Sequence, residues 1–168
     1  MKWGLISFAV LAAMVLGTTP SFAAEVVALG ASNTYGKGVN RVEDFPSQLE
    51  AMLRAKGLNV SVTNAGVSGD TTYAMSARFD GVIDSGTRVL ILQPGGNDAR
   101  KGLSEGERQG NISAIVAKAA SGHIKVVMVP NEMFRALPHQ ADEMHLTPEG
   151  YRLLASELLP KVMSALRK

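Results

Sequence analysis

Beyond its first two dozen residues the chain alternates short apolar runs with stretches whose apolar positions recur every three or four residues. Four runs read as strands, at 25–29, 59–63, 88–92 and 125–129, because each is β-branched or Leu-rich and too short for a helix. Between them, Phe45, Leu49, Met52 and Leu53 mark a helix over 45–55. Ile112, Ile115, Val116 and Ala119 mark another over 110–120, and a shorter one is predicted over 72–79. The last helix is the best marked: Thr147 is a natural N-cap, Pro148 occupies the first helical position and Glu149 suits the positive end of the dipole. Leu153, Leu154, Leu158, Val162 and Leu166 give that helix an apolar face, which Pro160 is expected to kink or divide. Strands alternating with helices predict an α/β fold of three layers around a parallel sheet.

Composition narrows this picture. Aromatic residues are only 5% of the 168, so Val, Leu, Ile, Ala and Met must fill the interior, as in a parallel sheet covered by helices on both faces. The formal net charge of +2 is spread along the chain without a basic stripe, which argues against nucleic-acid binding. With no cysteine there is neither a disulfide nor a thiolate metal site. The three histidines are far apart in sequence and no carboxylate cluster joins them, so no metal is expected. Met1 and Lys2 precede an apolar run over 3–17, and Ser21-Phe22-Ala23 offers small residues at both positions that a signal peptidase reads. Residues 1–23 are therefore expected to be a signal peptide, cleaved after Ala23 from a single domain of 24–168 that is periplasmic or secreted and keeps no stable membrane span. An uncleaved anchor is the alternative, although the apolar run is short for a span.

The first three predicted strands each run out into a segment where Gly stands beside Ser, Asp or Asn: Gly30-Ala31-Ser32-Asn33, Ser68-Gly69-Asp70 and Gly95-Gly96-Asn97-Asp98. In open parallel sheets such segments share one rim. Taken singly, each reads as well as a turn or helix cap. Taken together with Asp142-Glu143-Met144-His145, they hold the parts of a serine ester hydrolase. Ser32 is the candidate nucleophile and needs a base within hydrogen-bond reach. His145 is the candidate base, because Asp142 three residues earlier can accept from one imidazole nitrogen and leave the other unprotonated. The backbone N–H groups of Ser32 and Gly69 and the Asn97 amide are candidate oxyanion donors. Asp70 and Asp98 read as helix caps, His123 as an edge or surface residue, and His139 as a loop residue without a partner. Tyr73, Met75, Phe79, Met133, Phe134 and Leu137 are candidates for a substrate pocket, though the same spacing suits core positions.

At these residues the sequence resembles the SGNH hydrolases, also called the GDSL family of lipases and esterases, whose four blocks supply Ser, Gly, Asn and His in this order. The segments from Asn64 to Thr71, from Gly95 to Asp98 and from Asp142 through Tyr151 are similar to the exported bacterial arylesterases, thioesterases and lysophospholipases. The resemblance implies a three-layer flavodoxin-like fold with a parallel sheet of four to five strands, and hydrolysis of a small-molecule or lipid acyl ester through an acyl-serine intermediate, without a cofactor; it leaves the oligomeric state open. Two departures stand out. Ala31 occupies the position where the family usually carries Asp, so the turn before Ser32 must be held differently. The passage over 130–141 is short, which is expected to reduce a fifth strand and part of the acyl pocket to the segment around 133–137. The rival from another class is a non-catalytic acyl- or carbohydrate-binding protein that retains the fold; removal of acetyl groups from carbohydrate is a second enzymatic reading.

Overall fold

The computed structural model describes residues 24–167, so the proposed signal peptide lies outside the described residues. Four strands, β1 (Ala24–Gly30), β2 (Val60–Gly66), β3 (Thr87–Gln93) and β4 (Lys125–Met128), form one sheet in the order β2-β1-β3-β4, and every pairing is parallel. The expectation of four to five strands resolves at four among the described residues. Where a fifth strand would follow β4, residues Asn131–Phe134 make a 3₁₀ turn instead.

Alternation along the two central strands explains why both are apolar over residues 26–29 and 89–92. Val26 and Ala28 of β1 and Val89 and Ile91 of β3 face one core, whereas Val27, Leu29, Leu90 and Leu92 face another. The first core is closed by α2 (Phe45–Ala55) and α6 (Pro148–Leu166), through Phe45, Leu49, Leu53, Leu154, Leu158 and Val162. The second is closed by α3 (Thr72–Arg78) and α5 (Glu105–Ser121), through Met75, Ile115 and Ala119. A sheet buried on both faces between helical layers is the three-layer arrangement that the sequence predicts.

Pro160 neither ends nor divides α6, which runs unbroken from Pro148 to Leu166. The residue is exposed, so the carbonyl it leaves without a helical partner faces water, while Leu158 and Val162 on either side stay anchored in the core. The N-terminus of α6 follows the sequence reading: the Gly150 N–H donates to Thr147 Oγ1 at 3.1 Å.

Strand order positions the site. The chain leaves β1 for its neighbour β2 through α2, then returns past β1 to β3 through α3 on the opposite face, so the order reverses between β1 and β3. Crevices for ligands open beyond the carboxyl ends of strands at such a reversal. There β1 leads into α1 (Ser32–Tyr35) and β3 leads through Gly95 and Gly96 into α4 (Asn97–Arg100).

Close packing at the end of β2 holds α1 in place. A Cβ on Gly66 would stand 2.1 Å from the backbone nitrogen of Tyr35 and 2.5 Å from the carbonyl carbon of Thr34. Gly66→Ala is therefore expected to cost about 2–3 kcal/mol through overpacking against backbone that cannot give way. By contrast, a Cβ on Gly110 in α5 meets nothing within 4 Å, and Gly110→Ala is expected to stabilise the chain by about 1 kcal/mol. Urea unfolding of the two variants checks both signs.

Candidate active site

Gln93, the last residue of β3, holds the turn that carries Ser32. Its Oε1 accepts from the Ala31 backbone N–H and from Thr34 Oγ1, both at 3.1 Å, and the residue is 2% exposed. The buried amide thus fixes the turn from the neighbouring strand, while Ala31 brings only a methyl group, packed in the core shared with Leu29 and Met75. Ser32 opens α1, where its own N–H has no helical acceptor. Sequence reasoning passed over Gln93, although a polar residue ending the run Leu90-Ile91-Leu92 was the available signal.

The turn ahead of α6 prepares His145. Glu143 adopts a left-handed backbone with φ of 57°, and this brings the following N–H groups back towards Asp142. Asp142 Oδ1 accepts from the backbone N–H groups of Met144 and His145, both at 3.0 Å, and His145 Nδ1 donates to Oδ2 at 2.5 Å. The imidazole at Asp142, followed by the two backbone donors, holds its carboxyl far below the usual carboxylate range. An ionised Asp142 fixes Nδ1 as the donor, which leaves Nε2 as the nitrogen free to accept. The His145 side chain is 6% exposed and lines a cavity.

Asn97 is aimed by the loop after β2. Its Nδ2 donates one hydrogen to the Asp70 carbonyl at 2.8 Å, so the second remains available. Gly69 lies one residue before that carbonyl with φ of +83°, in open space, and is not among the residues that line the cavity. Arg78 holds the whole loop: it donates to Asp70 Oδ2 at 2.8 Å, to the Ala65 carbonyl at 2.8 Å and to the Gly30 carbonyl at 3.2 Å. Asp70 is therefore an ion-pair partner rather than a helix cap, since Thr71 caps α3. Asp98 likewise caps no helix of its own. It is buried and accepts from the Thr72 N–H and hydroxyl, joining α4 to the start of α3.

Ser32, Asn97 and His145 line one cavity of about 560 Å³. Ala31, Gly96, Arg100, Asn131, Phe134, Arg135, His139, Glu143 and Met144 complete most of its wall. Among the described residues Ser32 and His145 share this space without a direct hydrogen bond, a common state before substrate arrives. Of the six residues expected to form a pocket, only Phe134 reaches this one. Met75 and Phe79 are buried in the second core, Met133 and Leu137 pack against the first, and Tyr73 is 67% exposed on the surface. His139, set aside in the sequence reading, lines the cavity and bridges to Leu146, whereas His123 is exposed ahead of β4.

The Ser32 and His145 turns are more than a hundred residues apart in sequence, and side chains tie them together. Asn33 Nδ2 donates to the Met144 carbonyl at 3.1 Å, and the Tyr151 hydroxyl donates to Asn33 Oδ1 at 3.0 Å. Gln140 Nε2 donates to the carbonyls of Lys37 and Leu146, both at 2.8 Å. Burial of the Tyr151 ring keeps its hydroxyl protonated far into the alkaline range, so this donor does not titrate near neutrality.

The profile of the GDSL-like lipase/acylhydrolase family matches residues 28–142, from β1 to the carboxylate partner of His145. Esterase TesA of Pseudomonas aeruginosa is 26% identical over 118 residues, which are 70% of this chain and 59% of that protein. An arylesterase of Vibrio mimicus is 30% identical over 106 residues, 62% of this chain and 53% of that protein. The chain thus spans little more than half the length of these two relatives. The crystal structure of the SGNH-hydrolase family esterase AlinE4 aligns with a TM-score of 0.60 at 28% identity, over 87% of this chain and 75% of that one.

Two outcomes are expected from the geometry alone. In a carboxyl NMR titration Asp142 should stay ionised well below the ordinary Asp midpoint of about 3.9, and His145→Ala should move its midpoint back up. Its stabilising contribution is complete above the unfolded-state value and is lost as the pH falls through the lower folded one. A double-mutant cycle of Asn33→Ala with Tyr151→Phe should give a coupling of about 1 kcal/mol in urea unfolding, the size of one neutral hydrogen bond.

Proposed function

The chain belongs to the GDSL-like lipase/acylhydrolase family, and from that premise we propose that it is a serine esterase hydrolysing carboxylic acyl esters through Ser32, His145 and Asp142. The observation that carries this reading is the Asp142-held imidazole of His145 opening into the same cavity as Ser32. Ser32 Oγ attacks the ester carbonyl while His145 Nε2 takes its proton, and Asp142 stabilises the imidazolium that forms. Negative charge on the carbonyl oxygen is received by the Ser32 N–H and the free hydrogen of the Asn97 amide, with the Gly69 N–H as a third donor. Donors of this kind are each worth about 3 kcal/mol of barrier lowering. His145 then gives its proton to the leaving alcohol oxygen as the ester C–O bond breaks. Water, deprotonated by the same histidine, releases the acid from Ser32.

Export belongs to the same proposal, supported by the pattern over 1–23, and the domain then acts in the periplasm or outside the cell. Thioesters and lysophospholipids are finer alternatives within the mechanism; a rim with both arginines and an aromatic ring admits polar as well as acyl groups.

A fluorophosphonate should label Ser32 in the wild-type chain, since only an activated serine reacts, and a binding protein with this fold would stay unlabelled. Ser32→Ala and His145→Ala should each lower kcat on a nitrophenyl ester by at least about a thousandfold, Ser32→Ala with little change in Tm. Full turnover in purified Ser32→Ala protein would remove the assignment.

A further inference from the structure

Among the arginines of the described chain, Arg41, Arg54, Arg78, Arg108, Arg135 and Arg152 each have a carboxylate within reach. Among the described residues Arg88, Arg100 and Arg167 have none, and of these three Arg100 alone lines the cavity. It ends α4 one turn after Asn97, so the two side chains leave the same side of that helix, and both line the cavity. Among the described residues the one polar partner of its guanidinium is the Met144 thioether, with Nη2 3.2 Å from Sδ. A thioether is a weak acceptor, and at least four of the five N–H donors of the guanidinium are left for something else.

The charges facing this mouth are few. Arg135 also lines it, and its pair with Glu132 is long, at 3.8 Å, between two exposed side chains, which makes it weak. Glu143 is the acid in the wall; Asp142, beside it, is committed to His145. Two guanidinium groups thus face one free carboxylate, and Arg100, which meets the imidazole turn at Met144, is the one without an acid.

We propose that Arg100 selects esters whose alcohol portion carries an anionic oxygen group, a phosphate or a carboxylate. The inference rests on the esterase reading, because that mechanism fixes which part of the substrate meets Arg100. The alcohol leaves with the proton that His145 took from Ser32, so it lies on the His145 side of the carbonyl. Met144 directly precedes His145, and its sulfur is the atom against which Arg100 rests. A planar guanidinium there presents paired donors to either anion, and displacing a thioether costs it little.

The test compares kcat/KM for three butyryl esters on the same preparation: 1-butyrylglycerol, 1-butyrylglycerol 3-phosphate and the butyryl ester of lactate. Because each preference is a ratio within one sample, the folded fraction cancels. The wild-type chain should prefer at least one anionic ester by about tenfold, the size of a charge-assisted contact, and the arm that shows it identifies the anion. Arg100→Gln should bring the ratio close to one, Arg100→Lys should keep part of it, and high salt should lower it in the wild type. Equal rates on all three esters, or a preference that survives in Arg100→Gln, would overturn this inference and leave the esterase reading standing. No hydrolysis of any of them, with no fluorophosphonate label at Ser32, would remove both.

Discussion

Burial of β1 and β3 on both faces is the constraint from which the rest of the structure follows. Over residues 26–29 and 89–92 every side chain faces one core or the other, so on the carboxyl side of these stretches polar residues appear only where the strands end. Gln93 marks that limit. It is buried at the last position of β3, and its amide oxygen is spent on the turn that lifts Ser32 out of β1. The reversal of strand order between β1 and β3 then sets the two ends side by side, which places Ser32 and Asn97 in one wall.

A sheet alone does not bring His145 to that wall. The turn that carries it is built locally, by a left-handed Glu143 and a carboxylate that gathers three donors. It is positioned remotely, by Asn33 and Gln140 reaching between the segments. Both parts are needed, because a correctly made imidazole turn that drifted by an ångström would lose its alignment with the Ser32 hydroxyl in the shared cavity. Rigid neutral hydrogen bonds do this work here, and the buried Tyr151 hydroxyl closes the set without adding a charge that pH could remove.

Local chemistry made much of this legible. The periodicity of Phe45, Leu49 and Leu53, the Thr147-Pro148 cap and the spacing of Asp142 from His145 are all written within a few residues of one another. What escaped was decided at a distance. Arg78 looks like any surface arginine of α3, and only the folded sheet shows it reaching the ends of β1 and β2. Asp70 and Asp98 sit where caps belong, but the residues that claim them are eight and twenty-six positions away. Met75 and Phe79 followed a pattern that core and pocket positions share, and sequence spacing carries no information about which face a ligand would occupy. Pro160 does not divide α6, because the cost of a proline inside a helix depends on whether water can reach the carbonyl it orphans.

The path of α6 has a practical consequence. It starts beside His145 and runs back for 19 residues, about 28 Å, so that Ser164 and Ala165 lie alongside the first residues of β4. The opening residue of β1 stands at that same end of the sheet. Fusion partners, affinity handles or surface linkers joined ahead of Ala24 or after Leu166 would thus extend from the floor of the molecule. The mouth would face outward, free to meet whatever diffuses past an immobilised copy.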